Sequence, residues 1–223
     1  MLPKLYELIQ REAPQVRLNM CTTVSEAETA IQLRDHSMDA VLHFERFDNQ
    51  DLQYKVVIRH QPVIIARRDH PRIDGDTASK QKIMQEKLVR VAGTHGSSAV
   101  MAEDNEVFKF IARKTAMIVP SAMAQMAVVA RSDLLAITSL QIARPFLQSF
   151  ALKVLPNPWN IEPIHAFMVW HRTAEGDAGG AWFRSKLHEA VRSLLQESEC
   201  GGQRNRRAFN PVALIAMAAF SNP

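Results

Sequence analysis

An α/β fold in two lobes, with the chain crossing between them twice, is predicted from three features of the sequence. Residues Met38–Pro71 hold three strand-like runs in succession, with helical periodicity on either side. Beyond Pro71 the pattern restarts as a self-contained β-α-β-α-β run over roughly residues 72–160. A last strand and helix, Ile164–Trp170 and Ala181–Leu195, have no sheet partners nearby in sequence, so they are expected to return to the first lobe.

The first lobe opens on a helix. Leu2, Leu5, Leu8 and Ile9 fall on one helical face, and Pro14 ends the run. Val16–Val24 alternates, with Leu18 and Met20 on one side and Asn19 and Cys21 on the other, which marks a strand. Ser25 followed three residues later by Glu28 is a capping box that starts the second helix. Met38–Phe44 reads as a buried strand, Leu52–Arg59 as a half-exposed one, and Pro62–Ala66 is apolar throughout. These three strands are expected to sit together in the middle of one mixed sheet. A unit of this kind normally begins with a strand before its first helix, and the sequence shows none before Leu2. Its neighbours Val16–Val24 and Asp39–Phe44 would then carry unpaired backbone groups and leave the lobe marginal, unless the apolar Pro211–Phe220 run fills the gap.

In the second lobe, Ser79–Glu86 is a short helix and Leu88–Ala92 a buried strand that breaks at Gly93-Thr-His-Gly-Ser-Ser98. A helix over Ala99–Arg113, a strand over Ala116–Val119 and a helix over Ala122–Arg131 follow. Leu134–Thr138 and Leu152–Leu155 are strands flanking a helix predicted over Gln141–Phe150. Pro156-Asn-Pro158 is a stiff connector, and the closing helix turns Trp182, Leu187, Val191 and Leu194 inward. The domain boundaries that result are 1–66 plus 164–195 for lobe one, 67–163 for lobe two, and a separate tail over 196–223.

Composition narrows the function. Hydrophobic residues at 47% and charged residues at 22% are ordinary globular values. The formal charge of +4 is weak support for nucleic-acid binding by this chain. Cys21, expected to be a buried thiol, and Cys200 do not form a zinc or disulfide pattern, which suits a reducing, cytoplasmic setting. No metal spacing links His43, His70, His95 and His171, and no G-x-S-x-G elbow is present, so neither a metal, a cofactor nor catalysis is expected. Pro211–Phe220 is about half the roughly 20 residues needed to span a membrane.

The best site candidate is the loop Gly93–Ser98. It follows a strand and opens a helix, so its N–H groups would favour an anion, with Thr94, His95, Ser97 and Ser98 adding side-chain donors. Ser121 occupies the same place after the next strand, where a structural helix cap is the competing explanation. Thr138, at the end of a third strand, would complete the ligand-gathering edge of the sheet.

Several segments resemble the effector-binding domain of LysR-type transcriptional regulators, in the branch of the leucine-operon regulator. They are Ala13-Pro14-x-Val16-Arg17-Leu18, Asp39-Ala-Val41, Arg67-Arg68-Asp69-His70-Pro71, Ser132-Asp133-Leu134-Leu135-Ala136, Val154-Leu155-Pro156, and Val169-Trp170-His171 followed by Gly180-x-Trp182-x-Arg184. The resemblance runs from Leu2 to about Leu195, and the tail after Glu199 resembles no part of the family. It implies a periplasmic-binding-protein-like fold of type 2, two Rossmann-like lobes joined by two crossovers, with a small-molecule effector, expected to be anionic, in the cleft. It carries effector contacts onto Thr94, His95, Ser97, Ser121, Thr138 and Phe167. It also implies a homodimer or tetramer, no catalysis, and DNA contact only through a helix-turn-helix that this sequence lacks, as a truncated regulator would. A free-standing solute-binding protein of the same fold is the alternative, and an enzyme on that architecture a third.

Overall fold

The computed structural model describes residues 1–21, 25–92, 106–200 and 215–219. It divides into two compact units, one of Met1–Arg59 with the described residues from His165 onward, the other of His60–Ile164. Among the described residues up to 200, the chain therefore passes from one unit to the other twice, at Arg59–His60 and at Ile164–His165. None of the described helices is long and apolar enough to cross a membrane.

The first unit begins with α1 (Leu2–Glu12), which has a proline in its first turn and buries Leu5, Leu8 and Ile9 as the helical spacing requires. Strand β1 (Leu18–Cys21) follows, alternating half-buried Leu18 and Met20 with exposed Asn19 and Cys21. Cys21 is thus an exposed thiol and not the buried one expected: the alternation of the strand places it on the face opposite Met20. Helix α2 (Glu26–Arg34) starts where Ser25 caps it, the Oγ accepting from the Glu28 N–H at 3.2 Å. Strands β2 (Ala40–His43) and β3 (Leu52–His60) are joined through the turn at residues 48–51, where the Asn49 side chain accepts from the Asp51 N–H at 2.8 Å.

The second unit starts with β4 (Pro62–Arg67), α3 (Lys80–Gln85), β5 (Leu88–Val91), α4 (Glu106–Lys114), β6 (Thr115–Val119), α5 (Ala122–Ala130) and β7 (Ala136–Ser139). The helix expected over Gln141–Phe150 is broken. Helix α6 covers only Leu140–Ala143, and a 3-10 turn over Arg144–Phe146 replaces its continuation. Pro145 lacks the N–H that an α-helical turn would use, which accounts for the break. Strand β8 (Leu152–Leu155) completes the unit, and β9 (Ile164–His171) and α7 (Ala178–Cys200) carry the chain through the first unit again.

Strand β4 corrects the sequence-based grouping. It pairs antiparallel with β7 and β8 in the second unit and is not in the sheet of β2 and β3. An isolated parallel bridge between Leu88 and Leu135 joins this sheet to the parallel pair β5 and β6. Its all-apolar run has a direct cause. Val63 and Ile65 bury into one core with Val89, Met126 and Val129, while Ile64 and Ala66 bury into a second core with Ile83, Phe110 and Leu155. A strand covered on both faces has no polar side. Each of the buried Val and Ile side chains contributes about 1.5–3 kcal/mol.

The first unit's sheet holds five strands in the order β1-β10-β2-β9-β3, where β10 is Ile215–Ala219. Strand β10 runs antiparallel to both neighbours, with Met217 opposite Met20 on one side and Ala40 on the other. The gap expected from the lack of a leading strand is therefore occupied. Backbone groups of β1 and β2 that would otherwise face an empty slot are paired, and the instability expected of this lobe loses its cause.

Helix α7 packs Phe183, Leu187, Ala190 and Val191 inward. Trp182, expected inside, is half-buried at the edge. Its indole N–H donates to Glu12 at 3.2 Å, and Lys186 reaches the same carboxylate at 2.7 Å, so the two residues fasten α7 to the end of α1. The neighbouring Phe183 takes the core position, one residue of helical rotation away.

Candidate effector site

In the second unit, β5 and β6 run parallel, and the Leu88–Leu135 bridge aligns β7 with them, so the carboxyl ends of all three strands share one edge. Ala92, leaving β5, donates its N–H to Val119 at the end of β6 at 2.8 Å, which fixes the two strand ends beside each other. Thr94, His95 and Ser97 lie outside the described residues.

Ser121 stands at the end of β6 as the cap of α5. Its backbone is extended and its Oγ accepts from the Ala124 N–H at 3.2 Å. Gln125, one turn into the helix and buried, donates from Nε2 to the Val89 carbonyl at 3.0 Å, tying the start of α5 to β5. The helix thus presents its N-terminus, with the partial positive charge of its free N–H groups, at the strand edge. Thr138 lies on β7 opposite Val63 and is half-buried. The structure brings Ser121 and Thr138 to one edge, as their positions after or near the ends of parallel strands require.

Next to Thr138, Ser139 donates its hydroxyl to Gln141 Oε1 at 2.9 Å and stands 2.6 Å from Nδ1 of the buried His60. Because the single hydroxyl proton goes to Gln141, the His60 contact is an Nδ1–H donating to Ser139. The Gln61 N–H donates to the same Gln141 oxygen at 2.9 Å. Burial pushes the His60 imidazole down to about 4, so it is neutral at neutral pH.

Phe167 belongs to the other unit, on β9 opposite His43. Its ring meets Tyr54 edge-on at 6.1 Å, and the Arg46 guanidinium lies 5.2 Å from Phe167 and 5.4 Å from Tyr54. The Tyr54 hydroxyl accepts from the Phe47 N–H at 3.1 Å, which holds the turn after β2 against the ring. Burial raises the Tyr54 phenol above its usual range, so it stays protonated. Sequence reasoning missed Arg46 and Tyr54. The only available signal was a cation just past the end of a buried strand.

The segments that carry the resemblance have structural work of their own. Arg72 grips Glu86 through two bonds of 2.8 Å, and Arg67 grips Asp133 at 2.9 and 3.0 Å. The buried His70 accepts from the Arg72 N–H at Nδ1, 3.3 Å away, and therefore donates from Nε2 to the Asp133 carbonyl at 3.1 Å. Asp177 caps α7 through the N–H groups of Gly179 and Gly180 at 3.2 and 2.6 Å. Arg184 stacks on Trp170 at 5.1 Å and donates to the Ala174 carbonyl at 3.1 Å.

The family model of the LysR substrate binding domain matches residues 1–192. The chain is 26% identical over 187 residues to the HTH-type transcriptional regulator LeuO of Escherichia coli strain K12, covering 82% of this chain and 57% of that protein. It is 25% identical over 193 residues to the HTH-type transcriptional activator NahR of Pseudomonas putida, covering 84% of this chain and 62% of that one. It thus spans less than two thirds of the length of either relative. The effector binding domain of QuiR, solved in complex with shikimate, shares the fold at a TM-score of 0.61 and 13% identity, over 88% of this chain and 91% of that one.

Proposed function

The chain belongs to the LysR substrate-binding-domain family, and from that premise we propose that it senses a small anionic molecule held in part by the strand edge of its second unit. The observation that carries this is the convergence of Ser121, the α5 N-terminus and Thr138 at the carboxyl ends of parallel strands. A carboxylate there would accept from the first-turn N–H groups and the two hydroxyls, with the helix dipole favouring its charge. Thr94, His95 and Ser97, which follow β5 in the sequence, would add donors.

The resemblance supplies the remainder of the proposal. The effector is held between two lobes with Phe167 contributing from the first, and occupancy shifts the population of lobe arrangements that an oligomer passes to DNA-binding arms. The chain acts as a homodimer or tetramer and performs no catalysis. One feature supports self-association. Among the described residues, strand β6 hydrogen-bonds only to β5 in its sheet and leaves Met117 and Ile118 exposed, an apolar edge of the kind that another copy covers.

Titration calorimetry with shikimate and benzoate tests the site in the unmodified chain and in two variants. Ser121→Asp retains a cap but adds a negative charge, so it is expected to abolish carboxylate binding while leaving the melting temperature nearly unchanged. Ser121→Ala removes the cap, lowers stability by about 1 kcal/mol and weakens binding less. Carboxylate binding undiminished in Ser121→Asp would reject the site.

A further inference from the structure

The family match ends at residue 192, and β10 lies beyond it, yet β10 occupies an interior position of the first unit's sheet. Among the described residues, strand β1 has β10 as its only neighbour in that sheet, whereas β2 retains β9 on its other side. The register is continuous along β1, from Leu18 opposite Ala219 to Cys21 opposite Ala216. It continues on β2, from Leu42 opposite Ile215 to Ala40 opposite Met217. Removing β10 would leave β1 with no hydrogen-bonded strand among the described residues.

The segment is chemically suited to an interior place. Pro211–Pro223 contains no charged residue, no proline falls between its ends, and β10 itself is Ile-Ala-Met-Ala-Ala. An interior strand needs every N–H and tolerates charge poorly. On the β2 side the slot is lined by Ala40 and Val41, both fully buried, and by Leu42. The slot therefore selects an extended, uncharged segment rich in small apolar residues.

We propose that the space between β1 and β2 is a strand-acceptor site, that its ligand is an uncharged extended peptide, and that the chain's own Ile215–Ala219 fills it antiparallel in cis. The first unit is then assembled by strand addition, main-chain hydrogen bonds supplying the affinity and small side chains the selectivity. Residues outside the family match thereby complete the fold that the family match describes.

The register supplies the test. Cys21 stands directly opposite Ala216, a separation that suits a cross-strand disulfide. In the full chain carrying Cys200→Ser, the substitution Ala216→Cys is expected to give an intramolecular disulfide to Cys21 under mild oxidation. It would be seen as a monomer on non-reducing gels and as a linked peptide pair by mass spectrometry. Ala219→Cys, opposite Leu18 and on the other face of the strand, is expected to link poorly. Disulfide-linked dimers would overturn the assignment in cis and make a second copy the donor. Equal linking from both positions, or from neither, would overturn the docking itself. Independently, Met217→Pro is expected to speed amide exchange at Leu18–Cys21 and Ala40–Leu42 about tenfold or more, while β4 keeps its protection and Met217→Val changes little. Unaltered protection of β1 in Met217→Pro would likewise reject the proposal.

Discussion

Protonating His60 is expected to destabilise the protein well above the pH at which its carboxylates titrate. The imidazole is buried and donates from Nδ1 to Ser139, and burial lowers its pKa from 6.5 to about 4. The unfolded chain takes up the proton near 6.5 while the folded chain resists it down to about 4. Stability is therefore complete above pH 6.5 and falls as pH drops through that window. The shift corresponds to about 3 kcal/mol in all, of which about 2 kcal/mol would be lost between pH 7 and 5. Glu86 and Asp133, held low by Arg72 and Arg67, lose their contributions only as pH falls through and below the ordinary carboxylate range. His188, lowered by burial and by Lys55 and Arg192, slopes in the same sense as His60, so the comparison needs a variant. His60→Gln retains a donor for Ser139 and does not titrate. Urea unfolding at pH 7, 6 and 5 should show the unmodified chain losing about 2 kcal/mol more than His60→Gln across that range. Parallel pH dependences for the two proteins would refute the assignment of a neutral, buried His60.

Other outcomes follow from the same contacts. Gly180→Ala would place a Cβ 2.8 Å from Asp177 Oδ2 and 2.9 Å from Arg184 Nη1, forcing the cap or the Trp170 stack to move. A loss of about 0.5–2 kcal/mol by chemical denaturation is expected, and an unchanged midpoint would show that the cap is dispensable. Glu86→Gln breaks the paired bonds to Arg72 and is expected to destabilise by about 1–2 kcal/mol at pH 7. That deficit should shrink as the pH falls through the carboxylate range, because the depressed Glu86 pKa stabilises only while the group is ionised. A deficit of the same size at pH 3 would point to packing instead of charge.

How much of this was legible in the sequence depended on distance along the chain. The caps at Ser25 and Ser121 were readable because the partners are three residues away. The burial of Pro62–Ala66 was readable too, since an unbroken apolar run needs cover on both faces. Its sheet was not, because periodicity reports burial and not the partner, and the partners β7 and β8 lie some 70–90 residues downstream. Trp182 and Phe183 are adjacent aromatics, and a helical face read from spacing alone could not choose between them. The Arg46–Tyr54–Phe167 cluster brings Phe167 from late in the chain to Arg46 and Tyr54 near its start, and no local pattern announces it. Strand β10 was the least legible. Its partners β1 and β2 lie at the other end of the chain, and short runs of Ala and Met favour no single element.

The most direct measurement is a map of backbone amide chemical shifts in the full chain titrated with shikimate and benzoate. Saturable changes at Ser121, at Ala122–Ala124 in the first turn of α5, and at Thr138 are expected, with β8 and α3 unaffected. Saturable binding whose changes leave the Ser121–Ala124 turn and Thr138 untouched would contradict the placement of the effector at this edge.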